Sequence, residues 1–189
     1  MRRGITWFQR GGLAIPQIAK EFPSAHGFII MAGANQPLED KILEQYEYIS
    51  KLENNQGITS DVLNELKRQV ERVKKEDFTD AKSPEKLPLG LPEAYWKYLN
   101  RYKPLELIKT IDKPFLVIHG QRDYQVNLLE FENWKTALKN NSKSHFQLYP
   151  KLNHLFLEGD KPSAPDEYGN PSNIPLYVIK DISQWINEN

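Results

Sequence analysis

Two residues carry the chemistry that this chain makes legible. Asp123 stands three residues past the apolar run Pro114-Phe115-Leu116-Val117-Ile118-His119-Gly120, and His154 follows the run His145-Phe146-Gln147-Leu148-Tyr149-Pro150. The first run reads as a buried parallel strand closed by a glycine turn, the second as another strand. A carboxylate just beyond one strand and an imidazole just beyond the next are residue types that can serve as acid and base of a nucleophilic triad. The neutral ring takes the proton of a hydroxyl that is a poor nucleophile at neutral pH, and the carboxylate fixes the tautomer and stabilises the imidazolium that forms. The 31 residues from Asp123 to His154 leave room for one helix and one strand, which return the chain beside the first strand's end. The third member is missing: no Gly-x-Ser-x-Gly turn occurs in the sequence.

Each of these residues also has a plainer reading. An aspartate in a strand-to-helix turn commonly serves as a turn former or cap, and a loop histidine commonly faces water. His119, at a strand end, is read as a buried hydrogen-bonded residue, with lining of the site as the alternative. His26 and His145 flank strands and carry no functional signal. Tyr95, Trp96 and Tyr98 can wall an acyl pocket or simply pack.

Composition narrows the classes. The chain has 189 residues, 25 basic against 25 acidic, and no cysteine. One domain with a real core is the usual expectation at this length. Balanced charge gives no electrostatic case for nucleic acid or anionic lipid as the main partner. Lack of cysteine excludes disulfides, thiolate catalysis and Cys-based zinc sites, and the four scattered histidines form no H-x-H or H-x-x-x-H pair. No cofactor or metal is called for. No apolar run approaches the roughly 20 residues that span a bilayer. Met1-Arg2-Arg3 leads into no apolar segment of signal-peptide length, so the expected location is the cytoplasm.

The elements that must position Asp123 and His154 follow from periodicity. A helix is expected from Gly11-Gly12 to about Phe22, where Pro16 is tolerable only about one turn in. Gly27 to Ala34 reads as a strand buried on both faces. Residues 37–105 change character. Ile42, Leu43, Tyr46, Ile49 and Leu52, then Val62, Leu63, Leu66, Val70 and Val73, recur at helical spacing, with Gly57 between the helices and Ser60 as N-cap of the second. This stretch reads as a helical lid or cap insertion within a single domain spanning residues 1–189. Asn127 to Leu138 is a helix with Leu128, Phe131, Trp134 and Leu138 inward. After a Pro/Gly-rich segment, a last helix starts near Ile174, with Val178, Ile182, Trp185 and Ile186 inward. The whole is an α/β arrangement of about three parallel strands and five or six helices.

Roughly residues 11–187 resemble the α/β-hydrolase superfamily, most closely its bacterial esterase or dienelactone-hydrolase-like branch. The matching residues are Ile29 to Ala34, Ala94-Tyr95-Trp96, Phe115 to Val126, and Leu152-Asn153-His154-Leu155-Phe156. The resemblance implies the C-terminal portion of an α/β-hydrolase fold, with Asp123 as triad acid and His154 as triad base. It implies a serine hydrolase of carboxylic esters or lactones, and a small ester-like substrate.

In that family a Gly-x-Ser-x-Gly-Gly elbow leads into a helix resembling Leu13 to Ala19. Laid onto this chain, Gly11-Gly12 match the last two glycines, Gln9 holds the nucleophile's place and Trp7 the first glycine's. A glutamine amide cannot be acylated and turned over, so the chain as written is expected to be inactive. Shifted one base forward, the codons of Trp7-Phe8-Gln9 can spell Gly-Phe-Ser when Gln9 is CAG and Arg10 begins with C, and one restored base returns the frame at Gly11-Gly12. A frameshifted or mis-started gene, an isolated domain and an evolved pseudohydrolase therefore stand as alternatives. The last would be a non-catalytic interaction protein using the helices at 39–76; a thioesterase or peptidase is also open. The family's strands before the elbow are absent here, so the edge of the strand at 28–34 is expected to self-associate.

Overall fold

The computed structural model describes residues 9–55, 57–79 and 86–189, with the side chains of Gln9 and Arg10 left aside. The expectation for Trp7 lies outside the described residues. Three strands, β1 (Phe28–Met31), β2 (Phe115–Gly120) and β3 (Ser144–Tyr149), make one parallel sheet in the order β1-β2-β3. Phe28 pairs with Phe115, and Gly120 at the far end of β2 pairs with Tyr149. Among the described residues there are seven α-helices: α1 (Gln9–Glu21), α2 (Leu38–Ile49), α3 (Ser60–Lys75), α4 (Glu93–Arg101), α5 (Pro104–Ile108), α6 (Leu128–Ala137) and α7 (Leu176–Glu188). The fold is α/β, with a parallel sheet covered by helices. None of the described helices is long and apolar enough to cross a membrane.

The chain forms two compact units. The first holds the described residues up to Asn35 together with Pro104–Asn189. Its centre is β2, in which every residue is buried. Side chains alternate across a strand, so Phe115 and Val117 enter one core with Phe28, Ile30, Ile108, Phe131 and Trp134. Leu116 and Ile118 enter the other with Tyr149, Leu152, Phe156, Val178 and Trp185. One apolar run thus feeds two helix layers, as a parallel strand must.

Several boundaries differ from expectation for identifiable reasons. β1 is four residues long because Ala32 turns to a positive φ of 45° and ends the extended backbone. It is not buried on both faces: Phe28 and Ile30 are buried, whereas Met31 is 36% exposed. α1 begins at Gln9, which puts Pro16 well inside the helix, where the ladder must miss one N–H. Gly12 packs so closely that a Cβ there would lie 2.2 Å from the Gly33 Cα. Leu128 and Ile186, expected inward, are exposed at 38% and 57%. In α7 the buried stripe runs through Val178 and Trp185, and Ile186 rotates off it.

The second unit is Gln36–Lys103. Lys74 pairs with Asp40 at 2.6 Å and Lys67 with Glu47 at 3.1 Å, so α2 and α3 run antiparallel. Leu38, Ile42, Leu66, Val70, Val73 and Trp96 form its core. The N-cap of α3 is Thr59 rather than Ser60: Thr59 is extended, and its hydroxyl accepts the Val62 N–H at 3.3 Å. Trp96 is fully buried, whereas Tyr98 is exposed.

The outer edge of β1 has no strand partner among the described residues, and Phe28–Met31 carry no charge to blunt it. Pairing with a second copy is the expected outcome at micromolar concentration. Sedimentation velocity checks it, and a compact monomer across the concentration range would remove the idea.

Candidate active site

Two loops leave the same end of the sheet from adjacent strands. After Gly120 the ladder continues briefly: the Gln121 N–H donates to the Tyr149 carbonyl and the Arg122 N–H to Leu152, both at 2.9 Å. Gly120 is needed here for space. A Cβ on it would meet the Leu152 carbonyl oxygen at 2.4 Å and that of Asn153 at 2.6 Å. With no side chain between them, the turn that carries Asp123 and the turn that carries His154 come into contact.

Each turn is shaped by its own polar residues. Asp123 Oδ1 accepts the N–H groups of Gln125 at 2.8 Å and Val126 at 2.9 Å, closing the chain towards the Asn127 cap of α6. The expected capping role of Asp123 is therefore real, but it occupies only one oxygen. Asn153 shapes the other turn, its Oδ1 accepting from Leu155 and Leu157, each at 3.0 Å. Phe156 takes a left-handed φ of 59°, a backbone state that costs about 1–3 kcal/mol for such a residue. Its ring packs edge-on against Tyr149 at 6.2 Å.

The remaining oxygen of Asp123, Oδ2, lies 2.7 Å from His154 Nδ1, and both side chains are almost wholly buried. Nδ1 must carry the proton that bridges to the carboxylate, so in the neutral ring Nε2 is the acceptor. Nε2 is buried and has no hydrogen-bond partner among the described residues. His119 is placed differently: also buried, its Nε2 bonds to the Val126 carbonyl at 3.0 Å and ties β2 to the Asp123 turn. His26 and His145 stand apart, His145 accepting the Trp185 indole N–H at 3.3 Å.

A phenol completes the surroundings. Tyr168 packs against Tyr124 with ring centroids 6.4 Å apart, and its hydroxyl is 3.2 Å from that of Ser163. Burial, with help from the charges of Asp123 and Glu167, pushes the Tyr168 phenol up to about 12, so it is neutral wherever a histidine base operates. Among the described residues no three His, Asp or Glu side chains are grouped to hold a metal ion.

The sequence pattern of the prolyl oligopeptidase family matches residues 61–188, which include both Asp123 and His154. The chain belongs to the prolyl oligopeptidase family. It is thereby an α/β-hydrolase. Esterase EstD of Thermotoga maritima is 30% identical over 176 residues, covering 93% of this chain; the chain spans 40% of that relative's length. Two solved structures are more distant. A thermophilic esterase from Thermogutta terrifontis gives a TM-score of 0.48 at 16% identity over 94% of this chain and 62% of the other. A meta-cleavage product hydrolase from Pseudomonas fluorescens gives 0.44 at 14% over 94% and 61%.

Within this member of the prolyl oligopeptidase family, the structure brings Asp123 and His154 together. Gln9, expected from the sequence at the nucleophile's place, opens α1, and its side chain is not among those described. Sequence reasoning did not single out Arg122, Asn153, Glu167 or Tyr168. Arg122 and Asn153 had a signal, since each immediately precedes a candidate catalytic residue; Glu167 and Tyr168 had none.

Two outcomes follow. Gly120→Ala should destabilise the fold by about 1–3 kcal/mol, because backbone carbonyls and not side-chain tips must yield; an unchanged urea midpoint would count against the packing described. Tyr168 has a folded pKa above its unfolded value of about 10, so its contribution is whole below about pH 10 and is lost as pH rises through about 12. Tyr168→Phe should reduce the alkaline fall in melting temperature between those limits.

Proposed function

We propose that this chain carries the acid–base half of a serine-type hydrolase acting on carboxylic esters or lactones, in the manner of a dienelactone-hydrolase-like esterase. The observation that carries the reading is the buried 2.7 Å pair of His154 Nδ1 and Asp123 Oδ2, with Nε2 left as acceptor. A hydroxyl nucleophile at Nε2 gives its proton to the ring as its oxygen attacks the substrate carbonyl carbon. Collapse of the tetrahedral intermediate breaks the bond to the leaving alkoxide, which takes that proton from the imidazolium. Water then repeats the sequence on the acyl-enzyme, releasing the acid and restoring the hydroxyl. Asp123 stays ionised throughout and holds the ring by its Nδ1–H.

The likeness to Esterase EstD supports an ester over a peptide bond, although the family is named for peptidases. The same acyl chemistry serves both. Gln9 at the nucleophile's place supports a second reading, a non-catalytic interaction protein that uses the antiparallel α2 and α3. On either reading the chain by itself should not turn over esters.

Hydrolysis of a short-chain p-nitrophenyl ester separates these readings. It is measured for the chain, for His154→Ala, and for a version with the Gly-x-Ser elbow and upstream strands restored. Activity in the restored protein alone is the expected result. Activity in the chain itself that disappears with His154→Ala would show that another nucleophile is present, and silence in the restored protein would end the esterase reading.

A further inference from the structure

We propose that Arg122 and Glu167 are positioning residues that hold Asp123 and His154 in register through a clasp closed by Asn153. The inference rests on those two being the catalytic pair. Arg122 immediately precedes Asp123, and Asn153 immediately precedes His154. One carboxylate joins them: Glu167 accepts from Arg122 Nη2 through Oε1 and from Asn153 Nδ2 at 2.9 Å through Oε2. Asn153 is fully buried, and its amide oxygen holds the Leu155 and Leu157 N–H groups that bend the chain around His154. Glu167 therefore orients the amide, and the amide shapes the turn that presents the imidazole.

The other end of the clasp is equally constrained. The Arg122 side chain is only 9% exposed, and it also donates to the carbonyls of Lys161 through Nε and Lys151 through Nη1, the latter at 3.3 Å. A Cβ at Gly159 would meet its guanidinium at 2.2 Å, so the planar group lies flat against bare backbone. An arginine beside a catalytic pair invites a role in gripping a substrate carboxylate. Here its fork is already engaged by three acceptors from one loop, which a bidentate guanidinium does better than a lysine. What it secures is the segment from Lys151 to Glu167, which contains His154 and ends next to Tyr168.

The His154 Nδ1 proton reports directly on this geometry, because a short bond to a buried carboxylate shifts it far downfield and protects it from exchange. In chain labelled with 15N-histidine it is identified by its absence from His154→Ala. Glu167→Ala should abolish that signal while the far-UV spectrum stays native. Glu167→Ala leaves the nearly buried guanidinium without its counter-ion and can unfold the loop, so Gly159→Ala provides a second test. It changes no charge, and only the far end of the Arg122 side chain must give way. It too should abolish the signal. Asp160→Ala, which removes only an exposed pair with Lys151, should leave it intact. A signal that survives in both folded variants overturns the clasp and leaves the catalytic pair standing. No downfield proton in the parent chain would overturn the pair itself, and the clasp with it.

Discussion

The absence of a side chain at Gly120 is the constraint on which the site depends. The carbonyls of Leu152 and Asn153 occupy the space a Cβ would need, at 2.4 and 2.6 Å. Parallel neighbours in a sheet send their exit loops to the same end, but ordinary loops splay apart there. Contact at Gly120 lets the β2–β3 pairing run on past the strands, through Gln121 to Tyr149 and Arg122 to Leu152. The 2.7 Å approach of His154 to Asp123 is a consequence of that extension. Any residue larger than glycine would separate the turns before the side chains met.

Burying a carboxylate next to an imidazole is expensive unless both of its oxygens are hydrogen-bonded. Asp123 meets the requirement with two backbone N–H groups on one oxygen and the ring on the other. The same arrangement serves the helix that follows, since it delivers the chain to the Asn127 cap of α6. Capping and catalysis are usually weighed as rival explanations for an aspartate in such a turn. Here one oxygen closes the turn and the other meets the imidazole, so the two readings are compatible.

What the sequence made legible was the part governed by short-range pattern. β2 was visible because a strand buried on both faces needs an unbroken apolar run, and Phe115 to Ile118 supply one. Asp123 and His154 were visible because their positions are defined by strand ends. β1 was overextended because the apolar run continues through Ala32, and nothing in residue type announces a positive φ at an alanine. Thr59 and Ser60 are both good caps, and only the backbone angles at Thr59 decide between them. The clasp was invisible for a different reason. Arg122 and Glu167 are 45 residues apart, and Glu167 sits in a Pro/Gly-rich segment with no period to place it.

The two buried histidines of the first unit separate a structural role from a chemical one. His119 lies on β2 in the middle of the core, and its Nε2 is bonded to the Val126 carbonyl. A ring so bonded is part of the scaffold, and it stiffens the turn that Asp123 begins. His154 is as deeply buried, yet its Nε2 has no hydrogen-bond partner among the described residues, a deficit that costs about 1–3 kcal/mol in a folded protein. Around it the fold also tolerates a left-handed Phe156 and an arginine drawn into a loop of backbone carbonyls. Stability alone would favour an apolar residue at position 154, which needs no acceptor and no clasp. On the proposed reading, strain and a ring nitrogen left without a partner, gathered on one short turn, suit a proton acceptor, whether or not this chain supplies the hydroxyl that would use it.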